Sequence, residues 1–453
     1  MKHDFSIYFQ LVVLFGLVGC SNPNDGESPS TNLFLNLPPV VASISPASWG
    51  GGGAPVTITG FNFSSHAKVS IGGVSCSALS VVSSTQVTCV TGARGVGLVN
   101  VTVTNADGQS STLSNAFTYL NFYYVSGESN PGKIYGYQQD PTTGALTALA
   151  GSPFATGGNL AYGIAIDPAN RFLYAINYGS STIQPYTINS QTGTITAVGS
   201  PVATLASPAC AVVSANSGFL YVSSFAAGGT TIESYSIDVT TGALTAMTTY
   251  PVGGNQVNRV ITDPAGKFLF ADAWASGKVA VWSINGDGSL TAAPGSPFSV
   301  GSSPDGMATD ISGKYLYVGN ATTSGALNAF SIDQTTGALS SIATYAIGNA
   351  NGGTGVDVDP GSRFVYATNF TDGTISGFSM DATTGLLTSL GSAVTAGAGA
   401  NDFAFSALGN FTYVANTTGN SLSAYSVNQS TGALNLINTY TGITGAGLTT
   451  STK

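Results

Sequence analysis

From Gly163 the chain reads GIAIDPANRFLYAINYGSSTIQPYTINSQTGTITAV, and its apolar and polar residues alternate in short runs broken by Pro, Asn, Gly and Ser. Alternation with β-branched and aromatic enrichment predicts four strands, GIAI, RFLYAIN, TIQPYTIN and TITAV, and no window carries a sustained helical stripe. The same pattern returns along the chain with a marker phrase: TTGALT at Thr142, QTGTIT at Gln191, TTGALT at Thr240, DGSLT at Asp287, TTGALS at Thr335, TTGLLT at Thr383 and STGALN at Ser430. The phrase glycines, from Gly144 to Gly432, recur every 46 to 49 residues. An aromatic column keeps the same beat at Tyr124, Tyr174, Tyr221, Phe270, Tyr317, Tyr366 and Tyr413. Each copy is therefore one four-stranded unit that buries its faces against its neighbours, and seven such units arranged radially make a seven-bladed β-propeller.

The first copy starts at NFYYVSG and lacks the strand that precedes RFLY in later copies, whereas the last ends in an additional segment, GITGAGLTTSTK. The C-terminus is expected to supply the missing strand and close the ring, which removes exposed sheet edges.

Residues 40–119 do not follow the repeat. Their strands, VVASISP, VTITG, KVSIGG, TQVTCVT, LVNVTVTN and AFTYL, fit an immunoglobulin-like sandwich. The stretches ISPASWGGGGAPVTITGFNF, VSIGGVSC and VNVTVTNADGQSSTLSNAFTYL resemble an IPT/TIG domain along its whole length. That resemblance, with an oxidising compartment, implies a disulfide between Cys76 and Cys89. The run Gly50 to Gly53 precedes a strand and no helix, so a phosphate cradle is not expected there.

Residues 1–20 read as an export signal, with Lys2, an apolar run from Phe5 to Val18, and then Gly19-Cys20. The ending is similar to a bacterial lipobox, which implies a lipidated Cys20 and membrane attachment through acyl chains. Residues 21–39, rich in Ser, Asn and Pro, form a flexible tether, and residues 120–453 form the propeller. The expected location is the cell envelope, at the outer membrane or the cell surface. The chain's 453 residues are only 7% charged, with 59 glycines and a net charge of -9. Such a composition suits an exported all-β protein and excludes nucleic acid as a partner, because phosphate neutralisation needs clustered Lys and Arg. The chain is expected to be monomeric.

The segments DPANRFLYAIN, DPAGKFLFADA, DISGKYLYVGN and DPGSRFVYATN, each followed by a YSID-like strand and the marker phrase, are similar to the YVTN-type repeat of lactonase-like propellers, a group that includes 6-phosphogluconolactonases. The resemblance implies a lactone-hydrolysing site at the channel mouth, built from His, Glu and Arg. The propeller segment contains no histidine, and its two glutamates, Glu128 and Glu233, fall outside the columns that ring the predicted mouth. No metal cluster, nucleophile triad or nucleotide motif is legible, and no cofactor is expected.

Those mouth columns open the innermost strands. One reads Tyr162, Ala209, Asn258, Asp305, Thr354 and Asn401; the next reads Gly163, Cys210, Arg259, Gly306, Gly355 and Asp402. Arg259 and Asp402 break a column of small residues, so Tyr162, Asn258, Arg259, Asp305, Asn401 and Asp402 are candidate ligand-binding residues. The same groups also fit a structural ion pair at a solvated rim. Arg259 with Asp305 or Asp402 are the candidates for lactone hydrolysis, which needs a base and an electrophile. The recurrent Asp167, Asp263, Asp310 and Asp359 read as turn starters, and Cys210 as a small buried apolar residue. The first functional reading is a non-catalytic propeller that binds a glycan, a peptide or an envelope protein; the alternative is a sugar-lactone hydrolase.

Overall fold

The alternating runs form strands throughout the computed structural model, which describes residues 37–92, 97–351 and 353–451. The export signal, Cys20 and most of the tether lie outside the described residues.

The sandwich packs one sheet, in which Pro55–Phe61 and Gln86–Val90 lie between Val40–Ser45 and Ser77–Ser83, onto a second sheet centred on Gly97–Thr104. Its core is the inward half of that alternation, including Ile58, Ile71, Val87, Val101 and Phe117. Cys76 and Cys89 are disulfide-bonded, with Cα atoms 5.8 Å apart. The strand Ser110–Gly127 belongs to both folds. Its first half pairs with Gly97–Thr104, and from Asn121 onward it pairs with Lys133–Gln139 of the first blade.

Seven blades follow. In the second, Ala161–Ile166, Phe172–Asn177, Thr182–Ile188 and Ile195–Ala197 pair in sequence order as antiparallel neighbours. Innermost strands of the later blades begin at Pro208, Val260, Pro304, Val356 and Ala400. The first blade takes its innermost strand from the C-terminus: Ala446–Ser451 pairs antiparallel with Tyr123–Gly127.

The two repeated marks turn out to be partners. The phenol of Tyr317 donates to the carbonyl of Gly385 at 2.9 Å, that of Tyr366 to Gly432 at 2.7 Å, and that of Tyr413 to Gly144 at 2.8 Å, each across a blade boundary. Tyr124, Tyr174 and Tyr221 make the same bond to Gly193, Gly242 and Gly288. Phe270 interrupts the series. The glycine is required twice over: Gly385 has φ +71°, and a Cβ there would stand 2.4 Å from the Tyr315 ring. Each column aspartate accepts the backbone N–H five residues on, as Asp310 does from Tyr315 at 2.8 Å, and Ser214 and Ser406 do the same with a hydroxyl. Arg171 and Arg363 complete this turn by pairing with Asp167 and Asp359 and lying over Phe172 and Phe364.

Candidate functional site

Two residues ahead of Tyr162, Ala209, Asn258 and Asp305 stands a residue in a left-handed conformation: Leu160 at φ 51°, Ser207 at 54°, Gln256 at 58° and Ser303 at 51°. Its carbonyl accepts the N–H of the residue that directly follows the second strand, from Tyr178 at 2.9 Å, Phe225 at 2.9 Å, Trp274 at 3.0 Å and Ala321 at 2.9 Å. This repeated bond fixes a third column at the channel mouth, beside the two read from sequence. In the first blade the same bond runs from Glu128 to Gly445, at 2.9 Å, with Gly445 at φ 56°. Glu128 therefore stands in the column of Tyr178, Phe225 and Trp274. Glu128 falls outside the two columns read from the sequence and reaches the mouth through this third one. The first blade borrows its innermost strand from the far end of the chain, so columns counted along innermost strands pass it by.

A cavity of about 190 Å³ opens here, lined by Glu128, Leu160, Tyr162, Tyr178, Ala209, Phe225 and Asn258. Tyr162 and Tyr178 have ring centroids 6.1 Å apart, and Phe225 meets Trp274 edge-on at 6.0 Å. Burial pushes the Glu128 carboxyl up to about 7. Its surroundings are tight, since a Cβ on Gly447 of the closing strand would lie 3.4 Å from Glu128 Oε1.

Two of the sequence candidates, Tyr162 and Asn258, line the cavity, and the others form a buried network next to it. Arg259 of the fourth blade reaches Asp402 of the seventh, Nη1 to Oδ1 at 3.1 Å, across the axis of the ring. Its Nε lies 3.7 Å from Asp305 Oδ1. Asp305 also accepts from Asn258 Nδ2 and, at 3.0 Å, from the Thr354 N–H. Asp402 accepts the N–H of Thr449 in the closing strand at 2.8 Å. A Cβ on Gly353 would lie 2.9 Å from Asn401 Oδ1 and 3.5 Å from Asp305 Oδ2, which sets Asn401 on the rim of this network. Burial opposes the Arg259 charge, but Asp402 and Asp305 outweigh it and hold the guanidinium above its ordinary pKa. Burial raises Asp305 against the pull of Arg259. One further carboxyl joins them unannounced by the sequence reading. Asp272 occupies the position of Ser223 and Thr368 and accepts the N–H groups of Asn258 and Arg259 at 2.8 and 2.9 Å; burial raises it well above the carboxylate range. The guanidinium is thus held by two carboxylates, with a side chain 8% exposed, and is not presented to the cavity. Cys210 is buried beside this network, and burial raises its thiol. Among the described residues no cluster of His, Cys, Asp and Glu is placed to hold a metal ion.

Comparison with known families reads both folds in the same way. The family model described as an IPT/TIG domain matches residues 39–119. The model described as a lactonase seven-bladed β-propeller matches residues 179–297 and 341–448, half of the chain. The chain belongs to the lactonase seven-bladed β-propeller family. Among solved structures, a candidate 6-phosphogluconolactonase from Bacteroides fragilis is 21% identical with a TM-score of 0.66, over 74% of this chain and 98% of that one. The periplasmic gluconolactonase of Pseudomonas aeruginosa is 19% identical with a TM-score of 0.63, over 74% of this chain and 99% of that one. A Lactobacillus plantarum protein is 19% identical with a TM-score of 0.61, over 74% of this chain and all of that one. At these identities the likeness speaks for the fold. No curated protein matches the chain. The propeller segment contains no histidine, and its buried Arg259 is paired with Asp305 and Asp402.

Proposed function

We propose that this is an envelope-anchored lipoprotein whose propeller mouth binds an uncharged, polyhydroxylated ring, a neutral sugar or its lactone. The observation that carries the reading is the wall of the cavity: aromatic faces from Tyr178 and Phe225 beside the hydrogen-bonding groups of Tyr162 and Asn258. A sugar ring presents apolar C–H faces and polar edges, and this wall offers the complement of both. The volume, about 190 Å³, lies below the ~300 Å³ at which drug-sized sites begin, and suits one ring. A phosphorylated or acidic sugar is disfavoured, because the mouth carries Glu128 and the nearest guanidinium is already paired with two carboxylates. The test is a thermal-shift screen of the purified protein against neutral monosaccharides, aldonolactones and sugar acids, repeated with Tyr178→Ala. A stabilisation of roughly 3 kcal/mol at a hundredfold excess over Kd, from neutral members and lost in the variant, supports the site. A response confined to sugar acids would reject it.

Glu128 favours hydrolysis of the lactone as a second reading. A carboxyl with a pKa of about 7 in a cavity is poised as a general base at neutral pH. Hydrolysis followed by titration of the released acid should rise as pH passes through 7 and fall at least a hundredfold in Glu128→Gln. Binding without turnover leaves the first reading in place. Anchoring rests on Cys20: metabolic labelling with a fatty acid should mark the wild-type chain and not Cys20→Ala.

A further inference from the structure

We infer that the ligand of this mouth is an oligosaccharide, with one sugar in the cavity and further sugars across the aromatic crescent formed by Tyr178, Phe225 and Trp274. This rests on the sugar-binding reading above and extends it. The three residues directly follow the second strands of three successive blades, and the same backbone bond to a left-handed residue holds each of them. Each is partly exposed. Tyr178 and Phe225 line the cavity, whereas Trp274 does not; it meets the Phe225 ring at 6.0 Å and carries the aromatic surface out of the cavity toward the fourth blade. A single ring would fill the cavity and leave Trp274 untouched.

The position of Trp274 is itself specified. It begins a short 3-10 turn, Trp274–Ser276, closed by Gly277 at φ 63°. The N–H groups of Trp274 and Ala275 bond to the carbonyls of Gln256 and Asn255, which ties this turn to the segment that leads into the innermost strand of the same blade. A partly exposed indole held in this way offers a face for the C–H surface of a sugar.

Charge complementarity selects the class of occupant. The loops that carry the crescent, residues 156–160, 178–181, 204–207, 225–230, 252–258 and 274–277, contain no Asp, Glu, Lys or Arg. An acidic polysaccharide would find no cation there and would meet Glu128. A neutral chain of hexoses or N-acetylhexosamines meets aromatic faces and hydrogen-bonding groups and carries no charge to be repelled by Glu128. The crescent is continuous with the cavity, so both belong to one extended site.

The experiment is isothermal titration of the purified protein with neutral gluco-, xylo- and N-acetylglucosamine oligosaccharides of increasing length. In at least one series, affinity should rise about tenfold between the monosaccharide and the trisaccharide, as an additional aromatic contact provides. In Trp274→Ala the ratio of the two affinities should collapse to about one, and Trp274→Tyr should restore it; melting curves of both variants report folding. Monosaccharide binding with no gain on lengthening, or a gain that survives Trp274→Ala, overturns the oligosaccharide inference and leaves the single-ring site standing. No binding by any saccharide of any length overturns both.

Discussion

Positions that recur with little change from blade to blade and positions that vary around the ring do separate work in this propeller. The first set includes the second-strand tyrosine, the marker-phrase glycine and the turn aspartate, and it lies between or within blades. Its members satisfy one another: the tyrosine hydroxyl bonds to the glycine carbonyl of the neighbouring blade, and the aspartate caps the turn that starts the second strand. The second set rings the channel mouth. There Glu128, Tyr178, Phe225, Trp274, Ala321, Phe370 and Thr417 occupy one column, and Asn258, Asp305, Arg259 and Asp402 interrupt two others. A fold needs the same solution seven times, whereas a site needs different groups at chosen points around a ring. Repetition marks structure here, and departure from it marks chemistry.

The largest effect expected from breaking this division is at ring closure. Removing residues 442–453 deletes the innermost strand of the first blade and the Thr449 contacts of Asp402. Loss of cooperative melting, or a fall of several kcal/mol, is expected in thermal denaturation; an unchanged melting temperature would contradict closure by the C-terminus.

Next comes Arg259→Ala. It leaves Asp305 and Asp402 without their cation in a buried setting, and a loss of about 3–5 kcal/mol is expected by chemical denaturation. The loss should shrink at low pH, where the stranded Asp305 carboxyl, already raised by burial, becomes protonated.

Glu128→Gln sharpens the contrast through its pH dependence. The folded pKa of about 7 lies above the ordinary 4.5, so the folded state binds more protons between these values and wild-type stability falls as pH rises through that window. Relative to the wild type, the glutamine variant should gain stability from pH 5 to pH 8, by about 1–3 kcal/mol. A pH-independent difference would mean that Glu128 is not held in the cavity as described.

Smallest is the latch itself. Tyr317→Phe should cost about 1 kcal/mol, and Phe270→Tyr should add up to about 1 kcal/mol by supplying the bond to Gly337 that the fourth blade lacks. Both are read from melting curves.

Much of this was legible in the sequence because it is periodic. The strands, the seven blades, the strand borrowed from the C-terminus and the aspartate turns follow from alternation and spacing. Tyr162 and Asn258 were found at the mouth because they begin innermost strands. Glu128 was missed because the first blade has no innermost strand adjacent in sequence. A count from the second-strand tyrosine, four residues on, places Glu128 in line with Tyr178, Phe225 and Trp274. The pairing of Arg259 was beyond local reading for a different reason. Its partner Asp402 lies 143 residues away and comes within reach only when the ring closes. Asp272 was hidden in a column of mixed residues, Ser126, Ile176, Ser223, Gly319, Thr368 and Ala415, in which Ser126, Ser223 and Thr368 bridge adjacent blades with a hydroxyl.

The central claim is that stability and recognition sit in different columns, and a paired titration tests it most directly. Tyr178→Ala and Tyr317→Phe are each measured for melting temperature and for calorimetric binding of the neutral monosaccharide and aldonolactone panel. The account predicts that Tyr178→Ala loses binding with little change in melting temperature, while Tyr317→Phe melts lower and binds as the wild type does. If Tyr178→Ala binds every member as the wild type does, or if Tyr317→Phe loses binding while still folded, the division between framework and mouth is wrong.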